Sequence, residues 1–165
     1  MGFNLHNLVR SIVGAVVPNI ELIIIRCVGS TNLSGVVSYK YGDCALTSGQ
    51  KQSLSGDEQA QVEGVLQGEL NRKFYLEVKG TPLTAGLSVP SIGPSYLYEP
   101  ATGYYWRVTN VSEDFHSVGW ALVFAAQQKT VPPEVSAALE ASGLVLGSGQ
   151  SAQSSLLSGK DYELY

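Results

Sequence analysis

The side chains in this sequence that could do chemistry are few and widely spread. His6 and His116 are its only histidines, and Cys27 and Cys44 its only cysteines. His116 follows Glu113 and Asp114, a grouping that could in principle supply a general base or part of a metal site. A metal site needs converging ligands with a supporting second layer of hydrogen bonds, and three polar residues in a hairpin turn are ordinary solvated turn chemistry. His6 stands alone in the amino-terminal segment. The two cysteines have neither C-x-x-C spacing nor a histidine nearby, so redox and nucleophilic roles find no support. No G-x-x-x-x-G-K-[ST] phosphate loop, G-x-G-x-x-G turn or G-x-S-x-G elbow occurs. The expectation is a protein that is not an enzyme, with no catalytic, cofactor-binding or metal-ligating residues.

A second kind of chemistry would be stacking. Tyr96, Tyr98, Tyr104, Tyr105 and Trp106 could form an aromatic platform for a small molecule or carbohydrate, making the chain a ligand-binding β-barrel. Aromatic residues at strand positions are more often core and cross-strand pairs. Arg72-Lys73 is the only adjacent basic pair, and it reads as a strand-edge feature. A net charge of −4 argues against a dedicated nucleic-acid binder, which needs a concentrated basic face.

The elements that would position these residues follow from periodicity. Residues 4–17 carry apolar side chains at helical spacing, with Asn4 as a cap and Pro18 as a stop. Asn19–Val28 is apolar on both parities, the pattern of a strand covered on two sides. Gly29–Gly35 reads as a loop, and Gly35–Leu54 as one long strand or two, with a bulge or bend at Gly42-Asp43. Ser55 and Glu58 form a capping box for a helix running to about Leu66 that buries Val62, Val65 and Leu66. Phe74, Leu76 and Val78 mark the inner face of a strand over Arg72–Lys79. Gly80–Pro94 is a long Pro/Gly/Ser loop, suited to line a lumen or reach a neighbouring subunit.

Two aromatic-rich alternating runs then predict a hairpin. Tyr104, Trp106 and Val108 share one parity, as do Trp120, Leu122, Phe124 and Ala126, with a turn over Ser112–Gly119. Beyond Thr130 the composition changes. A short helical run with Val135, Ala138 and Leu139 stops at Gly143, and a Gly/Ser/Gln-rich stretch leads to an aromatic end at Tyr162 and Tyr165.

The expected fold is mainly β (α+β). It is a small antiparallel β-barrel or sandwich with an N-terminal helix, one short inserted helix and an extended C-terminal arm. The expected division is a compact β-rich domain over 1–129 and a flexible arm over 130–165. No apolar run approaches the ~18 residues of a membrane span, and Phe3–Val17, interrupted by Arg10, lacks the pattern of a secretory signal. Two buried free thiols in a reducing cytoplasm are expected.

Three segments carry a resemblance: NLHNLVRSIVGAVVPNI, QSLSGDEQAQVEGVLQGELNRKFYL and GYYWRVTNVSEDFHSVGWALVFAAQQ. In their order they resemble a family of small structural proteins of tailed bacteriophages and prophages, across most of residues 4–128. The resemblance implies a neck component: a head-to-tail connector, head-closure or collar protein joining the capsid portal to the tail. It implies a ring-forming homo-oligomer in the virion, assembled in the host bacterial cytoplasm, with other neck, portal or tail proteins as partners and no membrane. DNA would pass through the lumen without specific binding, for which the acidic balance is suited. Tail-terminator or baseplate roles are the alternatives within the same class. The tail beyond Thr130 and the Gly80–Pro94 loop depart from the family pattern.

Overall fold

The computed structural model describes residues 17–63, 70–85 and 92–145. Six antiparallel strands close into a barrel in the order β1-β2-β3-β6-β5-β4. They are β1 (Ile20–Leu33), β2 (Val36–Gln52), β3 (Asn71–Glu77), β4 (Tyr96–Glu99), β5 (Tyr104–Phe115) and β6 (Trp120–Gln128). Helix α1 (Gly56–Glu63) joins β2 to β3, and helix α2 (Pro133–Ser142) follows β6. The choice the sequence leaves between barrel and sandwich is thereby settled as a barrel. Closure comes from β4, which pairs with β1 over Ile23–Ile25 on one side and with β5 over Tyr104–Arg107 on the other.

The interior is filled by Leu22, Ile24, Phe74, Leu76, Val78, Leu97, Trp106, Val108, Ala121, Val123 and Ala125, with Leu83 closing from the loop after β3. Large and small side chains alternate here, as the narrow bore of a small barrel demands. Phe74 and Trp106 meet edge to face, 5.3 Å between ring centroids. The alternation of Phe74 and Leu76 on β3 with Val78 just beyond it is therefore the inner face the sequence predicts. Gly49 on β2 serves the same packing, since a Cβ there would lie 2.6 Å from the Tyr75 carbonyl oxygen and 2.7 Å from Leu76.

A second cluster lies outside the barrel wall. Ile23 and Ile25 point away from the bore and pack with Tyr96, Val135 and Leu139, flanked by Tyr41, Cys44, Tyr98 and Tyr105. The cover is α2, so β1 is apolar on both parities because both of its faces are covered. Pro at the start of α2 and the left-handed Gly143 (φ 70°) at its end delimit it as the sequence predicts. Residues 133–145, assigned to the arm in the sequence reading, thus pack on the barrel. Residues 146–165 and the expected N-terminal helix at 4–17, apart from its last residue, lie outside the described residues, as do Val65 and Leu66, expected at the end of the capped helix.

Three expectations change. The segment Gly29–Leu33 is strand and not loop: β1 continues to Leu33 and turns back over Ser34 (φ 53°) and Gly35 (φ 84°), a two-residue turn with both φ positive. The segment Ser112–Phe115 likewise belongs to β5, and the turn is a short 3-10 helix, His116–Val118, ended by Gly119 at φ 96°. In β6 both parities are buried, and Ala121, Val123 and Ala125 face the bore instead of the Trp120-Leu122-Phe124-Ala126 set. Beside bulky Phe74 and Trp106, β6 contributes only alanine and valine to the bore.

Candidate functional site

The part of the molecule that stands apart from its core is the distal half of the β1–β2 hairpin. Pairing of β1 with β4 ends at Ile25, and pairing of β2 with β3 begins only at Gly49. From Arg26 to Leu33 and back from Val36 to Gly42 the two strands pair with each other alone, a ribbon reaching roughly 25 Å past the wall. Two bulges set its base. Asp43 is the extra residue on β2, with φ 43°, and Val28 the extra residue on β1. The Gly42-Asp43 bulge anticipated from sequence is thus present. Bulges bend and twist a hairpin locally, which aims the ribbon away from the sheet it leaves.

Near its base one face of the ribbon is held by the rest of the chain, while Val37 toward the tip of that face is 45% exposed. The Tyr39 ring lies over Gly93, where a Cβ would come within 2.7 Å of it. The Tyr41 hydroxyl donates to the Pro94 carbonyl at 3.0 Å, and the Gly93 amide donates to Cys27 Sγ at 3.2 Å. Burial pushes the Tyr41 hydroxyl above its ordinary range, so it stays a proton donor. Behind these contacts the buried Arg26 guanidinium donates to the Thr81 carbonyl at 3.1 Å and lies 3.6 Å from Asp43 across the bulge. The described ends of the Gly80–Pro94 loop therefore brace the ribbon.

The other face meets solvent. Leu33, Val36 and Val28 are 76%, 67% and 60% exposed, with Thr31, Ser38, Lys40 and Gly42 between them. Val28 and Gly42 are neighbours on this face, the Val28 methyls standing 3.5 Å from where a Gly42 Cβ would be. Lys40 is its only charge, and no acidic residue occurs between Arg26 and Asp43. These side chains make an exposed apolar strip with one cation, on the face opposite the braced one.

A second exposed apolar group ends the β5–β6 hairpin. Phe115 stacks on Trp120 at 4.6 Å and remains 46% exposed, and Val118 is 66% exposed. Glu113 and Asp114 precede them on β5, and Asp114 binds the ring of His116 at 2.7 Å. No group of three or more His, Cys, Asp or Glu is close enough to share a metal ion among the described residues. Beyond Arg107 no strand among the described residues pairs with the outer edge of β5, which carries bulges at Thr109 and Ser112.

At the opposite end of the bore sits a buried ionic plug. Glu99 is 3% exposed, accepts Lys51 Nζ at 2.8 and 2.9 Å, and also accepts Trp106 Nε1–H at 3.2 Å. Lys51 lies 5.5 Å from the Trp106 ring centroid. The carboxylate satisfies two donors at once and fixes the tryptophan that fills the bore. Sequence inspection does not single out Glu99, because a glutamate at a strand end looks like any solvated one.

The remaining predicted residues separate. The five aromatic residues of the platform do not share a surface: Trp106 lines the bore, Tyr96, Tyr98 and Tyr105 lie beneath α2, and Tyr104 is exposed. Arg72-Lys73 is not at a sheet edge, since Lys73 pairs with both β2 and β6. Its ammonium binds Glu58 of α1 at 3.1 Å. Cys27 and Cys44 are free thiols, each half-buried, one bracing the ribbon and the other under α2. His6 lies outside the described residues. No helix among the described residues is long and apolar enough to cross a membrane. No protein-family model matches the chain, nor does any curated protein.

Proposed function

We propose that this chain is a structural virion protein of a tailed bacteriophage, forming an oligomeric ring in the neck that joins the capsid portal to the tail. The observation that carries the reading is the braced ribbon with its solvent-facing Val28, Leu33 and Val36. A monomeric binding protein gains nothing from such a strip, whereas a subunit of an assembly covers it with a neighbour. The resemblance of the three sequence segments to neck proteins supplies the place of that assembly. The barrel bore is packed with side chains, so DNA would run through a channel bounded by several subunits, not through one.

The test is to locate the protein in particles. Gold-labelled antibody against the chain should mark the head–tail junction, and particles made without it should accumulate as separate heads and tails. Label at the distal tip of the tail would move the protein to the baseplate. Particles lacking it altogether would end the reading.

A further inference from the structure

The ribbon and the β5–β6 hairpin stand in a relation that selects the occupant of the ribbon's open face. In the barrel order β1-β2-β3-β6-β5-β4, the β1–β2 pair and the β5–β6 pair are separated by β3 on one side and β4 on the other. They lie on opposite sides of the barrel. Both turns point out of the same end, because β1 and β5 run in the same direction: Ile23 and Ile25 are level with Tyr98 and Tyr96, which pair with Tyr105 and Arg107. The strands of a closed barrel tilt by about 35–45°, so the ribbon slants sideways as well as along the axis.

The two surfaces are also complementary. The ribbon offers Val28, Leu33 and Val36 with Lys40, and the hairpin end offers Phe115 and Val118, with Glu113 on the same face of β5 as Phe115. Lys40 makes no ion pair among the described residues. We infer that the ribbon of one copy docks on the β5–β6 end of the next, a head-to-tail contact between unlike patches. Such a contact repeats by rotation and closes a ring when the rotation divides the circle. A ribbon face of this size covers a few hundred Å², less than the ~800 Å² per partner of a durable interface. Single contacts are therefore weak, and closure of the ring supplies the avidity. The inference deepens the ring reading and rests on it for the setting of the assembly.

Complementation by two variants of the full chain tests it. Leu33→Asp/Val36→Asp disables the ribbon, and Phe115→Asp/Val118→Asp disables the hairpin end. All four positions are exposed, and circular dichroism with a thermal melt checks the fold of each. Wild type should associate in a concentration-dependent way by sedimentation velocity. Each variant alone should sediment as a monomer, and an equimolar mixture at high concentration should yield a weak dimer and nothing larger, since one intact interface remains between unlike copies. Charge exchange gives a second readout: Lys40→Glu, or Glu113→Lys, should weaken association at least about tenfold, and the two together should restore it.

A hairpin variant that still self-associates means ribbon meets ribbon, and overturns the inference. So does a wild type that stays monomeric at every concentration and gains mass only with another phage protein. Failure of this contact with the label still at the head–tail junction leaves the neck reading intact. Successful complementation by a protein absent from particles removes that reading and leaves the contact.

Discussion

Glu99 and Lys51 meet at 2.8 and 2.9 Å at the end of the bore farthest from the ribbon, with the Trp106 indole N–H as second partner of the carboxylate. The pair orders the ring that packs on Phe74, so a polar contact sets the geometry of an apolar core. Truncation by Glu99→Ala leaves an ammonium and an indole N–H without their acceptor. Lys51 reaches solvent in part, with its side chain 28% exposed, which softens the loss. The expected cost is about 2–3 kcal/mol, read as a lower urea midpoint at unchanged slope. Glu99→Gln keeps an acceptor for Trp106 and should cost less. A loss below about 0.5 kcal/mol for Glu99→Ala would mean the pair behaves as an exposed one.

Helix α2 covers Cys44, whose thiol lies 3.5 Å from the Ala138 carbonyl, and burial raises that thiol's pKa. Leu139→Ala removes one of the two buried anchors of the helix, at an expected cost of about 2–4 kcal/mol. Local detachment should raise the labelling rate of Cys44 by a thiol reagent while leaving Cys27, on the ribbon, unchanged. Equal acceleration at both cysteines would show that the helix and barrel open as one unit.

Gly49 leaves no space for a side chain. Gly49→Ala drives a methyl against the Tyr75 carbonyl and Leu76, and the expected destabilisation is about 1–3 kcal/mol. The companion substitution Gly35→Ala, at a turn with φ 84° and open space around it, strains only the backbone. A smaller loss at Gly35 than at Gly49, compared by thermal melts, separates packing from conformation.

The capping box gives a pH signature. Glu58 accepts the Ser55 amide at 2.7 Å and an ion pair from Lys73, and these hold its pKa below the ordinary glutamate value. A depressed folded pKa contributes stability above the unfolded value of about 4.3, and that contribution is lost as pH falls through the folded pKa. Carboxyl NMR should show Glu58 titrating below the ordinary glutamate value. Lys73→Met should move it back upward; an unmoved titration would assign the whole depression to the backbone amide.

Legibility in the sequence tracks contrast in burial. Phe74, Leu76 and Val78 alternate with polar neighbours, and Val135 and Leu139 recur at helical spacing, so β3 and α2 announce themselves. The Ser55–Glu58 box does so through chemistry instead of hydropathy, and both of its reciprocal bonds form. Gly29–Leu33 and Ser112–Phe115 read as turns because the strands there leave the core, and a wetted strand has no inner face to mark it. In β6 the inner set is obscured for the opposite reason, since both faces are buried and Ala121 and Ala125 carry little hydropathic weight beside Leu122 and Phe124. The ribbon itself is a tertiary fact. Nothing local in residues 26–42 says that neighbouring strands stop short of them.

The closing strand β4 spans only Tyr96–Glu99, yet it joins residues near the start of the described chain to the β5–β6 pair. Local hairpins β1–β2 and β5–β6 can form early, each within its own stretch of sequence, while this short seam brings distant segments together and bears the loop-closure entropy. The last step of folding and the first of unzipping should then coincide at the amides of Ile23–Ile25. Their protection from hydrogen exchange would time both events.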